Sequence, residues 1–156
     1  MRTDSTLRPR ATLEVGDTGS FTKTISEADV VHFADVSGDH NPLHLDEEYA
    51  SQTRFRHRIA HGILSAGLIS AALANELPGL GTIFVELHVR FLKPVYLGDR
   101  LTAKLMVAEI MSPQRVCLLV ACVNHRGEDV AIGHAVVVPP SETRLILLPD
   151  SNSASV

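Results

Sequence analysis

The chain has 156 residues, 45% of them apolar, and 14 Lys and Arg against 18 Asp and Glu leave a formal charge of -4. That length suits one domain with a real core, and without a basic stripe neither nucleic acid nor an anionic membrane is expected as a partner. The first ten residues, MRTDSTLRPR, have no apolar run to act as a signal peptide, and the most apolar segment, ILSAGLISAALA at 63–74, is too short to span a bilayer. These features predict a soluble, cytoplasmic protein.

Residues 1–10 and 149–156 are polar and aperiodic, and are expected to be disordered tails around a single domain at 11–148. Residues 11–25 predict a first strand, interrupted by turns at Gly16 and Gly19. SEADVVHFADV then opens a helix, with Ser26 as N-cap, Asp29 three residues on, and Ile25 and Val30 placed as a hydrophobic staple. That helix must end at SGDHNPLHLD, residues 37–46, where Gly38 admits backbone that other residues resist and Asn41 precedes Pro42. Asp46 can cap a short helix over EEYASQ.

HGILSAGLISAALANEL, 61–77, is the longest helical candidate, stopped by Pro78 and Gly79; being small or apolar all round, it is expected to be buried on nearly every side. In FVELHVRFL, Val85, Leu87, Val89 and Phe91 alternate with Glu86, His88 and Arg90, the pattern of a strand with one face in a core. After the Gly98-Asp99 turn, Leu101, Ala103, Leu105 and Val107 alternate again, and RVCLLVACV and DVAIGHAVVV follow, joined by a hairpin at NHRGE. Cys117 and Cys122, five apart on a strand, fall on opposite faces, so they are not expected to pair and read as small core residues. Together these elements predict an α+β domain, an antiparallel sheet wrapped around one long helix. Its open edge and apolar face predict a homodimer.

The stretch 37–46 concentrates two aspartates, two histidines, an Asn-Pro and a Gly in ten positions. On spacing alone two readings stand. Asp39 and Asn41 can be turn residues that satisfy their own backbone while His44 packs, the commoner fate of such a composition. Alternatively, a short loop held by Pro42 brings Asp39 and His44 within reach of one water molecule, an acid-base pair.

The run SGDHNPLHLD, followed by IAHG at 59–62 and FLKPVYLGDRL at 91–101, resembles the (R)-specific enoyl-CoA hydratases, the MaoC-like dehydratase group with the hot-dog fold. The resemblance covers roughly residues 12–140. It implies an Asp39/His44 catalytic dyad that adds water reversibly and syn to a trans-2-enoyl-CoA, giving (R)-3-hydroxyacyl-CoA, the product that relatives supply for polyester synthesis. It further implies an oxyanion site at the Gly62 N–H, where a helix N-terminus presents free N–H groups. The Ser that the family carries in its central helix maps to Ser70, which either bonds the Asp39 carboxylate or simply the carbonyl four residues back. Asn41 either orients the dyad or shapes the loop.

Arg54, Arg56 and Arg58 are candidate contacts for coenzyme A phosphates, or a solvated loop. His57 and His61 are four apart, but no third ligand is evident, so no metal is expected, nor any cofactor beyond the coenzyme A of the substrate. Two other functions compete. A 3-hydroxyacyl-carrier-protein dehydratase would share the first motif, and a non-catalytic acyl-thioester binder would share the fold. A hot-dog thioesterase is disfavoured, because no acid lies between Gly62 and Glu76.

Overall fold

The fold is that of a computed structural model, which describes residues 11–146; both expected tails, and the last two residues of the expected domain, lie outside them. Seven strands and four helices follow in the order β1 (Thr12–Leu13), β2 (Thr18–Thr24), α1 (Glu27–Ser37), α2 (Pro42–Leu45), α3 (Glu47–Ser51), α4 (Gly62–Asn75), β3 (Ile83–Phe91), β4 (Arg100–Ser112), β5 (Arg115–Asn124), β6 (Asp129–Val138) and β7 (Arg144–Leu145). Five strands form one antiparallel sheet in the order β2-β4-β5-β6-β3, and α4 packs on β2, β4, β5 and β3. A two-residue parallel ladder joins β1 to β7.

Local chemistry sets most boundaries. Ser26 and Asp29 form the expected capping box on α1, the Ser26 hydroxyl accepting from Asp29 N at 3.1 Å while the Asp29 carboxylate accepts from Ser26 N at 2.8 Å. Ile25 and Val30 are fully buried beside it. Gly38, at φ 80°, closes α1 in the left-handed region, and its N–H donates to Ala34 O. Asp46 caps α3 through Tyr49 N at 3.0 Å. The hairpin between β5 and β6 forms where NHRGE predicts it.

Four expectations change. Gly19 makes no turn: it lies inside β2 opposite Leu105, where a Cβ would come within 2.8 Å of the Leu77 Cβ, so the strand needs a residue without a side chain. Only Cys122 is a core residue, whereas Cys117 is half-buried on the other face of β5. The helix α4 is buried on its sheet side alone, with Gly62, Ile63 and Gly67 exposed and Ser70, Ala71 and Ala74 only half-buried. In β3, Leu87 and Val89 are only half-buried and Val85 and Phe91 are exposed, because the strand is an edge that nothing among the described residues covers, with an irregularity between Phe84 and Glu86.

Candidate active site

The ten-residue stretch of interest folds as the end of α1, a four-residue loop and α2. Three backbone N–H groups find side-chain oxygens there: Asp39 N bonds Ser37 Oγ at 3.2 Å, Asn41 N bonds Asp39 Oδ1 at 3.2 Å, and Leu43 N bonds Asn41 Oδ1 at 3.0 Å. Asn41 thus caps α2 with its carboxamide and steadies the Asp39 carboxylate with its own N–H, which places both of its expected roles in the backbone geometry. These bonds leave Asp39 Oδ2 exposed and open, on a carboxylate whose orientation is already fixed.

His44, at the end of α2, is 8% exposed. Its Nδ1 lies 2.7 Å from the carbonyl of Ile59, an atom that can only accept, so Nδ1 carries the proton and Nε2 is the nitrogen left for chemistry. His61, immediately before α4, completes the cluster. Its Nε2 donates to the backbone carbonyl of Asp39 at 3.0 Å, and its ring packs against that of His44, tilted by 33° with centroids 3.9 Å apart. One donor atom from each of Asp39, His44 and His61 lies within 4.8 Å of the others. A water at ordinary hydrogen-bond distance, about 2.8 Å from each acceptor, spans such a gap. Among the described residues the same three are also the set that could ligate a cation; His57 is not part of it, being paired with Glu47 at 2.7 Å.

A cavity of about 260 Å³ opens beside His44. Its walls include Ile59, Ala60, Gly62, Ser65, Phe91 and Val95, with Arg54 and Lys93 also lining it. Gly62 starts α4 without any side-chain cap; Leu64 N turns back to His61 O at 3.0 Å, and the Gly62 N–H stands ahead of it at the positive end of the helix dipole. A larger hollow, about 580 Å³, lies on β2, β4 and β5, but Lys104 is its only titratable lining residue. The smaller cavity has the chemistry.

Asp39, His44 and Gly62 come together as expected, and Ser70 does not. Its hydroxyl makes no hydrogen bond among the described residues, neither to Asp39 nor to the carbonyl four residues back, and it does not line the His44 cavity. Ser65 does, 3% exposed and three residues after Gly62, on the same side of α4. The one-turn spacing from Gly62 was the signal that could have found it.

The arginines divide. Arg58 is a structural residue, its side chain 17% exposed and bonded to Glu27 at 2.6 Å while its N–H donates to Glu47, so it is not free for a ligand. Hydrogen bonds from His57 and Arg58 hold the Glu47 carboxyl below its usual range. Arg56 is exposed in a left-handed turn at φ 66°. Only Arg54 reaches the cavity, its guanidinium 4.7 Å above the Phe55 ring. Lys93, which the sequence did not single out, is the second cation there.

Comparison with known proteins agrees with this geometry. The family model described as MaoC like domain matches residues 12–121. The 3-hydroxybutyryl-CoA dehydratase of Methylorubrum extorquens is 44% identical over 131 residues, 83% of each chain. An unliganded R-hydratase from Pseudomonas aeruginosa superposes with a TM-score of 0.82 at 46% identity, covering 92% of this chain and 94% of that one. The (R)-hydratase from Aeromonas caviae involved in PHA biosynthesis gives 0.79 at 37% identity, covering 82% and 98%.

Proposed function

Because the chain belongs to the MaoC-like dehydratase family, we propose that it hydrates trans-2-enoyl-CoA thioesters to (R)-3-hydroxyacyl-CoA, reversibly, at the Asp39/His44 site. The carrying observation is the Asp39 carboxylate and the His44 imidazole, which bring one donor atom each within 4.8 Å of the other beside an uncapped helix N-terminus. In the hydration direction one water accepts orientation from both groups. Asp39 takes one proton from the water as the oxygen bonds to C3, and that same proton, passed to His44 Nε2, is delivered to C2; because the pair is coupled, the two can exchange these roles. The water's other O–H remains as the 3-hydroxyl, so the dyad ends as it began.

The electrons that leave the C2–C3 double bond collect on the thioester oxygen before C2 is protonated. The N–H of Gly62 and the dipole of α4 face that charge, and glycine, having no side chain, allows the thioester to approach. Arg54 supplies positive charge at the same cavity, suited to the coenzyme A phosphates, while Lys93 beside it is paired with Glu128 at 2.6 Å. A second copy of the chain covers the edge strand β3 and the exposed stripe of α4, where Ile83, Ile63 and Phe91 are 60%, 52% and 49% exposed, to make a homodimer.

The test follows the ultraviolet absorbance of crotonyl-CoA and the stereochemistry of the product. Loss of absorbance with formation of (R)-3-hydroxybutyryl-CoA is the expected result. No activity on crotonyl-CoA, longer enoyl-CoA or enoyl-carrier-protein substrates would overturn the hydratase reading, and activity on the carrier-protein substrate alone would replace coenzyme A by that partner. Light scattering should give twice the 16.9 kDa chain mass; a monomer at micromolar concentration refutes the dimer.

A further inference from the structure

We propose that His61 is a positioning residue, the spacer that holds the base, its partner histidine and the oxyanion amide in register. The inference rests on the reaction proposed above. His61 is the one side chain that touches both members of the dyad, through its Nε2–H to the Asp39 carbonyl at 3.0 Å and its ring on His44 at 3.9 Å. Phe33 of α1 packs on the same ring at 4.8 Å. Its chain neighbour is Gly62. A single side chain therefore links the end of α1, the end of α2 and the start of α4, the three elements that bear the chemistry.

Local rules are broken to put it there. The position before a helix favours a short polar side chain that accepts from the first-turn N–H groups, yet His61 makes no such cap. Its Nδ1 is buried without any hydrogen-bond partner, an arrangement that folded chains avoid. Both penalties fall on a side chain only 2% exposed. Residues that violate local preference inside an otherwise consistent fold mark functional demands. Here the demand is for a flat group that donates at one end and packs, tilted, between His44 and Phe33. Serine or asparagine would cap the helix but could not reach and pack in this way.

The test compares His61→Phe, which keeps a packed ring and removes the donor together with the orphaned acceptor, with His61→Gln, whose amide Nε2 can still donate to the Asp39 carbonyl. The expected result is a kcat on crotonyl-CoA about tenfold or more lower in His61→Phe, the scale of a small misplacement of catalytic groups, with KM within about twofold and no loss of thermal stability. In His61→Gln, kcat should stay within about threefold of wild type. Unchanged kcat in His61→Phe, or equal losses in both variants together with a lowered Tm, would overturn the proposal. The carbon-13 chemical shift of the Asp39 carboxyl provides a readout that does not depend on turnover. It should move in His61→Phe and not in His61→Gln, even if the wild type fails to hydrate crotonyl-CoA, and no movement in either variant would overturn the positioning role.

Discussion

Two polar clusters lie on this protein, and they differ in what their groups have left over. In the hairpin after β5, the Asn124 Oδ1 accepts from Arg126 N and Glu128 N, while its Nδ2 donates to Glu128 at 2.8 Å. Glu128 also receives Lys93 at 2.6 Å and Arg126 at 3.0 Å. Nearby Asp99, 6% exposed, accepts from Tyr96 N at 2.9 Å and lies within 3.7 Å of His125 and Arg126. Each of those carboxylates is engaged. In the cluster around Asp39, by contrast, one carboxylate oxygen and the His44 Nε2 are left open and the His61 Nδ1 is buried without a partner, although the backbone that carries them is tightly bonded. Saturated polar groups hold a turn together; unsaturated ones on a rigid frame are available to a substrate.

Removing a member of the open cluster gives the largest expected effect. Asp39→Asn or His44→Ala should each lower kcat/KM on crotonyl-CoA by about a hundredfold or more, the scale of a lost general acid or base, while the far-ultraviolet circular dichroism stays that of the wild type. Equal activity in all three proteins would leave hydration standing and remove the dyad. Next, Gly62→Ala keeps the N–H but adds a methyl that meets Phe91 at 3.4 Å on the cavity wall. Steady-state kinetics should show a loss on the order of a hundredfold, as expected when a reacting group is displaced by an ångström or so.

Smaller effects separate binding from structure among the arginines. Arg54→Ala should raise KM for an enoyl-CoA several-fold with kcat unchanged, and the difference should shrink at high salt because screening weakens an exposed contact. Arg58→Ala should leave KM alone and lower stability by about 1 kcal/mol in urea denaturation, since it deletes a partly buried bridge between α1 and α3. The smallest effect belongs to the saturated cluster. Hydrogen bonds from Asn124, then Lys93 and Arg126, lower the Glu128 pKa to about 2 from an ordinary 4.5. A depressed folded-state pKa contributes stability above 4.5 that fades as pH falls toward 2. The urea midpoint of Glu128→Gln should therefore trail the wild type at pH 6 and approach it at pH 3; a gap that widens in acid would contradict the network.

The site was legible where function depends on short-range spacing. Gly38, Asp39, Asn41, Pro42 and His44 lie within seven residues; spacing alone left a plain turn and an acid-base pair both open, and the resemblance of the motif to the hydratase family pointed to the pair. The capping box at Ser26 and the hairpin at Asn124 were readable directly, because each is closed by bonds between near neighbours. Alternating hydrophobicity likewise placed β3 to β6.

What the amino-acid order determined by itself, then, was the set of elements, the α+β class and the Asp39/His44 pair. Only the tertiary structure decided that His61, 22 residues beyond Asp39 in the chain, packs within the dyad, that Ser65 rather than Ser70 faces the cavity, that Arg58 is spent on Glu27 and Glu47, and that β3 and one stripe of α4 stay uncovered. Periodicity tells which residues share a face of a helix or strand. Which face meets which neighbour is settled by packing between elements far apart in the chain, and there a side chain's partners are chosen by distance in space.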